Sequence, residues 1–188
     1  MIRKIALALA AAVCVFVSGA WAAGDPAVTG VWGLTFGDSW EKAHGIMTKD
    51  NGASLICEFM PDKGRREAVY QVDFFGREGQ MKLEFASQGL YLAQFIFTRS
   101  DLLEKKDSEL TSDEKTRKMR LEVYGGNFRQ LTNMLRGKYD IPTETYKDDG
   151  KTRGCFWIVG DQTVTIFENS SSTKHDTVLT YEDVSRRK

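Results

Sequence analysis

Ser39 is the residue whose surroundings could support covalent chemistry. It follows Phe36-Gly37-Asp38, where a short strand candidate turns into a helix candidate. Such a turn can present a serine hydroxyl as a nucleophile, which needs a histidine base oriented by a carboxylate. The two histidines of the chain are His44, in the helix candidate, and His175, in a polar segment. The alternative interpretation is that Asp38 and Ser39 cap the helix.

The block Phe36-Gly37-Asp38-Ser39 resembles the nucleophile block of GDSL-type serine esterases, and Gly125-Gly126-Asn127 resembles their later Gly-x-Asn block. The resemblance implies a serine esterase that uses Ser39. In that family an aspartate stands three residues before the catalytic histidine, whereas here Ser172 stands three residues before His175. The segments between the blocks also lack the strand–helix alternation of a parallel sheet. We therefore expect Ser39 to be a cap and keep the esterase as an alternative.

Residues 1–22 are typical of a secretory signal peptide. Arg3 and Lys4 precede an uncharged apolar run, and Ala20-Trp21-Ala22 matches a cleavage signal. The run has about 13 residues, fewer than the roughly 20 that span a bilayer. We expect cleavage after Ala22 and a mature chain, residues 23–188, that is periplasmic or secreted and has no membrane span.

The composition is that of a globular protein, with 41% apolar residues and 26 basic against 26 acidic side chains. Cleavage after Ala22 would remove Arg3 and Lys4 and leave a net charge of −2 (24 basic and 26 acidic groups). A nucleic-acid-binding protein would carry a marked basic excess. We therefore expect no nucleic-acid partner.

Cys57 and Cys155 are the cysteines that follow the predicted signal peptide. An even number of cysteines in an exported chain favours one disulfide bond between them. Two separate buried thiols are the alternative, because a sequence cannot show that the two residues approach each other. The two cysteines and two histidines are too scattered for a zinc site. We expect no metal and no cofactor.

The alternation of apolar and polar residues predicts two similar halves, at about 28–98 and 111–183, joined by a charged connector. Each half begins with a helix and continues with extended segments separated by short turns. In the first half the helix covers about 40–49 and the strands cover 54–59, 67–75, 80–86 and 90–98. In the second half the helical stretch ends at about Tyr139, before Pro142, and the strands cover 143–147, 153–159, 163–168 and 177–181.

This order predicts a single α+β domain with a mainly antiparallel sheet and two helices on one face, built from two helix-plus-hairpin half repeats. Residues 34–43, Leu-Thr-Phe-Gly-Asp-Ser-Trp-Glu-Lys-Ala, resemble the strand–glycine–capped-helix opening of small exported bacterial proteins. Lys138-Tyr139-Asp140-Ile141-Pro142 resembles their second helix end, which often reads Lys-Tyr-Gly-x-Pro. The whole plan is similar to tandem-repeat β-lactamase-inhibitor-like proteins and to small outer-membrane-assembly lipoproteins. The resemblance implies a non-catalytic, protein-binding role.

The sheet face away from the helices is the predicted binding surface. Alternation in the second half lets Phe156, Ile158, Val164 and Ile166 share the helix-covered face. The opposite, open face would then carry aromatic residues beside small polar ones, a mixture that suits a protein contact. Inverted faces, or aromatic residues packed under a loop, are the alternatives. The predicted binding residues are Phe75, Trp157, Thr163, Thr165 and Phe167.

The leading functional prediction is an exported, non-enzymatic binding module for a protein or bacterial-envelope component, of the inhibitor or envelope-assembly type. The alternatives are the serine esterase with Ser39 and a small-ligand carrier with a pocket between sheet and helices. The sequence does not identify the partner or the oligomeric state.

Overall fold

The structure is a computed structural model that describes residues 28–74, 77–98, 105–124, 127–148, 152–169 and 175–188. Eight strands form one antiparallel sheet, and a two-stranded sheet precedes it. The predicted α+β class with a mainly antiparallel sheet is confirmed. The predicted signal peptide and Phe75 lie outside the described residues.

The large sheet has the strand order β3-β4-β5-β6-β10-β9-β8-β7. Each half of the chain supplies four consecutive strands, and the halves join where the last strand of each, β6 and β10, pair antiparallel. The first strands of the halves, β3 and β7, form the two edges. The strands are β3 Ser54–Phe59, β4 Arg66–Asp73, β5 Glu78–Ala86, β6 Gly89–Thr98, β7 Glu144–Asp148, β8 Thr152–Val159, β9 Gln162–Asn169 and β10 His175–Asp183.

The helix of the first half, α1, covers Trp40–Gly45 and continues as a π-helical turn over Ile46–Asp50. Ser39 accepts a hydrogen bond from the backbone N–H of Lys42 at 3.3 Å and so caps α1. Ala43 and Met47 are fully buried against the sheet. Gly52, with φ 63°, takes the left-handed conformation that lets the chain turn into β3.

The predicted second helical stretch is two helices, α2 at Ser112–Tyr124 and α3 at Asn127–Tyr139, on either side of Gly125-Gly126. The buried residues of α3 pack on β9 and β10. Asp140 follows α3 with φ 63°, the left-handed conformation for which glycine is the usual choice after a helix. Asp140 therefore performs the backbone role of the glycine in the Lys-Tyr-Gly-x-Pro pattern.

The segment 31–36, expected to be one strand, is instead a small hairpin of β1 (Gly30–Val31) and β2 (Leu34–Thr35). Trp32 and Gly33 between them have φ 56° and 84°, which reverses the chain after two residues. Leu34 and Phe36 are buried and join the same core as α1, α3 and the inner face of the large sheet.

Candidate functional site

The large sheet has one buried and one open face, and the two alternate residue by residue. On the inner face the side chains of β4, β5, β6, β9 and β10 form the core with α1 and α3. Most of the opposite side chains that the structure describes on these strands retain exposed surface, whereas Tyr91, at the bulge between β5 and β6, is buried. Buried examples are Tyr70, Leu83, Phe95, Ile166 and Leu179. The open face is therefore accessible to a partner across both halves.

Trp157 does not lie on the open face. It is 2% exposed, and its indole N–H donates a hydrogen bond to the backbone carbonyl of Asp140 at 3.0 Å. The prediction of an exposed Trp157 is wrong because β8 carries large apolar residues on both faces, so that alternation alone cannot choose the inner one. The indole ring fits below the end of α3, where its polar N–H finds a partner.

The inversion of β8 puts Phe156 and Ile158 on the open face instead of in the core. Ile158 is 49% exposed and Phe156 is half-buried. In β9 the structure places Thr163, Thr165 and Phe167 on the open face, each half-buried, while Val164 and Ile166 are fully buried. The two strands bring these residues together because Phe156 is opposite Thr165 and Ile158 is opposite Thr163.

Phe156 and Phe167 form an aromatic pair on this face. Their ring centroids are 5.2 Å apart and the rings are nearly perpendicular, at 86°. Gly154, directly opposite Phe167, leaves the room for this arrangement. A Cβ atom at Gly154 would lie 2.7 Å from the Phe167 ring. Gly154 inside β8 is therefore the sequence feature that indicates an aromatic ring lying on the strand, which alternation alone does not reveal.

The aromatic pair extends into an apolar patch across four neighbouring strands, β7, β8, β9 and β10. Tyr146 of β7, 47% exposed, pairs in register with Gly154 beside Phe167. Val178 of β10 lies on the other side of Phe167. We call Tyr146, Phe156, Ile158, Phe167 and Val178 the open-face patch. Its polar neighbours are Thr163 and Thr165 in β9, Thr180 in β10, which accepts a hydrogen bond from Gln94 at 3.1 Å, and two acidic side chains, Glu144 opposite Phe156 and Glu182 opposite Thr163.

The first half presents a charged network on the same face. The Lys82 ammonium lies 2.8 Å from the Glu67 carboxylate and 2.7 Å from that of Glu84. The Tyr91 hydroxyl also donates a hydrogen bond to Glu84. Burial by itself raises the pKa of Glu84, but the hydrogen bonds from Lys82 and Tyr91 outweigh it and hold this pKa below its ordinary value. Each of these charges therefore has a partner within the sheet.

The contacts of Ser39 fit a cap and not a nucleophile. Its hydroxyl bonds to the backbone of α1, whereas the ring Nδ1 of His44 lies 2.9 Å from the Tyr70 hydroxyl. Burial raises the pKa of Tyr70 to about 12, so this hydroxyl stays protonated at neutral pH. Asp38 accepts from the backbone N–H of Thr35 at 2.8 Å and pairs with Lys42 at 2.7 Å. The side chain of His175 lies outside the described part of the structure.

The predicted Cys57–Cys155 disulfide is wrong. Both thiols are free, Cys57 exposed on β3 and Cys155 buried on the inner face of β8. Six strand spacings of about 4.8 Å separate β3 from β8, roughly 29 Å, whereas a disulfide needs α carbons within about 7 Å. Burial raises the pKa of the Cys155 thiol.

A cleft of about 620 Å³ opens at one end of the sheet, between the β3–β4 turn, the β5–β6 turn and the start of α1. Its lining includes Trp40, Met60, Arg65 and Arg66. The Arg66 guanidinium stacks 4.8 Å from the centre of the Trp40 ring and pairs with Glu58 at 3.2 Å. The cleft is open to solvent, unlike the enclosed pocket that the carrier alternative requires.

Within the described ranges, no three histidine, cysteine, aspartate or glutamate side chains cluster as a metal site would require. No helix among the described residues is long and apolar enough to cross a membrane.

No protein-family model matches the chain, and no curated protein sequence matches it. A solved structure with some similarity is that of a cysteine-rich secretory protein from Staphylococcus aureus subsp. aureus Mu50, with a TM-score of 0.36 and 14% sequence identity. The match covers 74% of this chain and 43% of the staphylococcal one, so the chain spans less than half of that protein's length.

Proposed function

We propose that the chain is an exported, non-enzymatic binding module that recognises a protein or envelope component through its open sheet face. The observation that supports the proposal is the open-face patch, in which Phe156, Phe167 and Ile158 meet on the face opposite to the core formed with α1 and α3. The predicted signal peptide supports export to the periplasm or the outside of the cell.

The chemistry of the patch favours a protein partner. Aromatic side chains supply large contact area with little loss of rotamer freedom, and such residues dominate many protein interfaces. The threonines beside them offer hydroxyls that can donate and accept hydrogen bonds without the desolvation cost of a charge. A non-catalytic role also agrees with the resemblance to inhibitor-like and outer-membrane-assembly proteins.

The test is affinity capture from a bacterial envelope extract with the mature chain as bait. Ile158→Lys places a charge in the centre of the patch at a position that is 49% exposed and should leave folding intact. Gln71→Lys is the matched control, since Gln71 is an exposed residue of β4 on the same face, in the other half. We expect a specific partner with the wild type and with Gln71→Lys, and its loss with Ile158→Lys.

If Ile158→Lys and Gln71→Lys capture the partner equally well, or if both lose it, the open-face patch is not the binding surface. Export is tested separately by mass spectrometry of the chain isolated from an envelope fraction. The expected N-terminus is Ala23, and an uncleaved Met1 would contradict the signal peptide.

A further inference from the structure

The edge strand β3 combines full exposure with an apolar composition. All six of its residues, Ser54–Phe59, are exposed, although the segment is rich in apolar side chains. Among the described residues β3 has a strand neighbour on one side only, β4. Its other side therefore presents backbone N–H and C=O groups that can form the ladder of a further strand.

The opposite edge is built in another way. By sequence β7 is Glu-Thr-Tyr-Lys-Asp, with three charged residues of five, a composition that protects an edge against pairing. In β3 only Glu58 is charged, and it is paired with Arg66 at 3.2 Å. Leu55, Ile56 and Phe59 are 39%, 50% and 44% exposed. An added strand would cover these side chains as well as the free backbone.

The cleft at the end of β3 indicates the charge of the partner. A bulge interrupts the β3 pairing between Leu55 and Cys57, so the regular part of the edge, Cys57–Phe59, leads to the β3–β4 turn, which forms one wall of the cleft. The cleft contains two guanidinium groups and no carboxylate among its lining residues. Arg66 already has Glu58, whereas Arg65 has no carboxylate within ion-pair distance in the described part of the chain and only a 3.5 Å contact to the Arg187 carbonyl.

From these observations we infer that β3 binds an extended, acidic segment of another protein by strand addition. Antiparallel pairing, the mode of the described strands in the sheet, places the N-terminal end of the added segment beside the β3–β4 turn, which carries Arg65. Carboxylates at that end pair with Arg65, while apolar residues further along cover Leu55 and Ile56. Recognition through backbone hydrogen bonds with side-chain selectivity is a general mode of peptide binding. The inference does not rest on the proposed function of the open-face patch.

The experiment measures fluorescence anisotropy of a labelled peptide, Asp-Asp-Val-Thr-Val-Thr-Val, titrated with the mature chain. A second peptide replaces both aspartates by asparagine. We expect the asparagine peptide to bind about fivefold more weakly, the effect of about one exposed ion pair. Arg65→Glu should weaken binding of the aspartate peptide about tenfold, because it exchanges attraction for repulsion. Lys63→Glu is the control, since Lys63 lies in the same exposed turn but not in the cleft.

Phe59→Lys, which charges the edge, should also abolish peptide binding, whereas Thr145→Lys on the opposite edge strand should not. Equal affinity for the two peptides, or equal effects of Arg65→Glu and Lys63→Glu, would overturn the inference.

Sedimentation of the free chain provides a second measurement. A dimer that Phe59→Lys dissociates would assign the edge to a second copy of this chain and equally overturn the inference. Ile158→Lys should leave peptide affinity unchanged, which separates failure here from failure of the open-face proposal.

Discussion

The two halves of the open sheet face have the same backbone arrangement and opposite chemistry. In the first half the Lys82 ammonium pairs with both the Glu67 and the Glu84 carboxylates, so that every charge of this cluster has a partner within the sheet. In the second half the equivalent surface carries Phe156, Ile158 and Phe167. A surface of paired charges is well solvated by water, whereas covering clustered aromatic and aliphatic side chains with a partner is favourable. This difference supports the proposed binding role of the second half.

The largest expected effect tests the division of β8 into inner and outer residues. Trp157→Ala should lower the free energy of unfolding by about 3–5 kcal/mol, because it leaves a cavity and removes the hydrogen bond to Asp140. Phe156→Ala, its neighbour on the open face, should cost only about 1 kcal/mol. Urea denaturation followed by circular dichroism measures both. Similar costs for the two variants would contradict the assignment of the two faces.

The second prediction concerns the glycine below the aromatic pair. Gly154→Ala places a methyl group 2.7 Å from the Phe167 ring and 3.2 Å from the Ile166 carbonyl. We expect a loss of about 1–3 kcal/mol in unfolding free energy and a displaced Phe167 ring, seen in its NMR contacts with Phe156. Gly137→Ala in α3 is the control, since nothing lies within 4 Å of the new methyl group. Gly137→Ala should raise the free energy of unfolding by about 0.5–1 kcal/mol. A lower value for this control would show that the assay responds to glycine replacement in general.

A third prediction uses the charged network of the first half. The pKa of Glu84 is lower in the folded chain than its ordinary value of 4.5, so the folded state favours the ionised form. This contribution to stability is present above the ordinary pKa and is lost as the pH falls through the folded one. Glu84→Gln should therefore reduce the loss of unfolding free energy measured between about pH 5 and pH 3. If Glu84→Gln leaves the pH dependence of the unfolding free energy unchanged, the network does not stabilise this half.

The smallest expected effect is that of a reducing agent. With two free thiols far apart, reductant should leave the urea midpoint of the mature chain unchanged. A thiol reagent should label the native chain in two phases, a fast one at exposed Cys57 and a slow one at buried Cys155, whose raised pKa further disfavours the reactive thiolate. Cys57→Ser should remove the fast phase. A urea midpoint that falls on addition of reductant would instead indicate a disulfide between Cys57 and Cys155.

Much of the local structure could be predicted from the residues. The alternation of Met81, Leu83 and Phe85 with polar neighbours selects the inner face of β5, and the structure buries all three. The capping role of Ser39 follows from its place before an amphipathic helix. Phe156 and Ile158 could not be found in this way, because in β8 both sets of alternating residues are apolar.

Local patterns thus determined the element types, the turns, the capped helix and the α+β class, since each depends on residues a few positions apart. Strand order and the choice of the inner face of β8 were decided only by the tertiary structure. Pairing of β6 with β10 places β3 and β7 at opposite edges, which separates Cys57 from Cys155 and leaves β3 without an outer neighbour among the described strands. Contact of Trp157 with the end of α3 turns Phe156 and Ile158 outward. These outcomes depend on contacts between residues distant in sequence, which no local periodicity records.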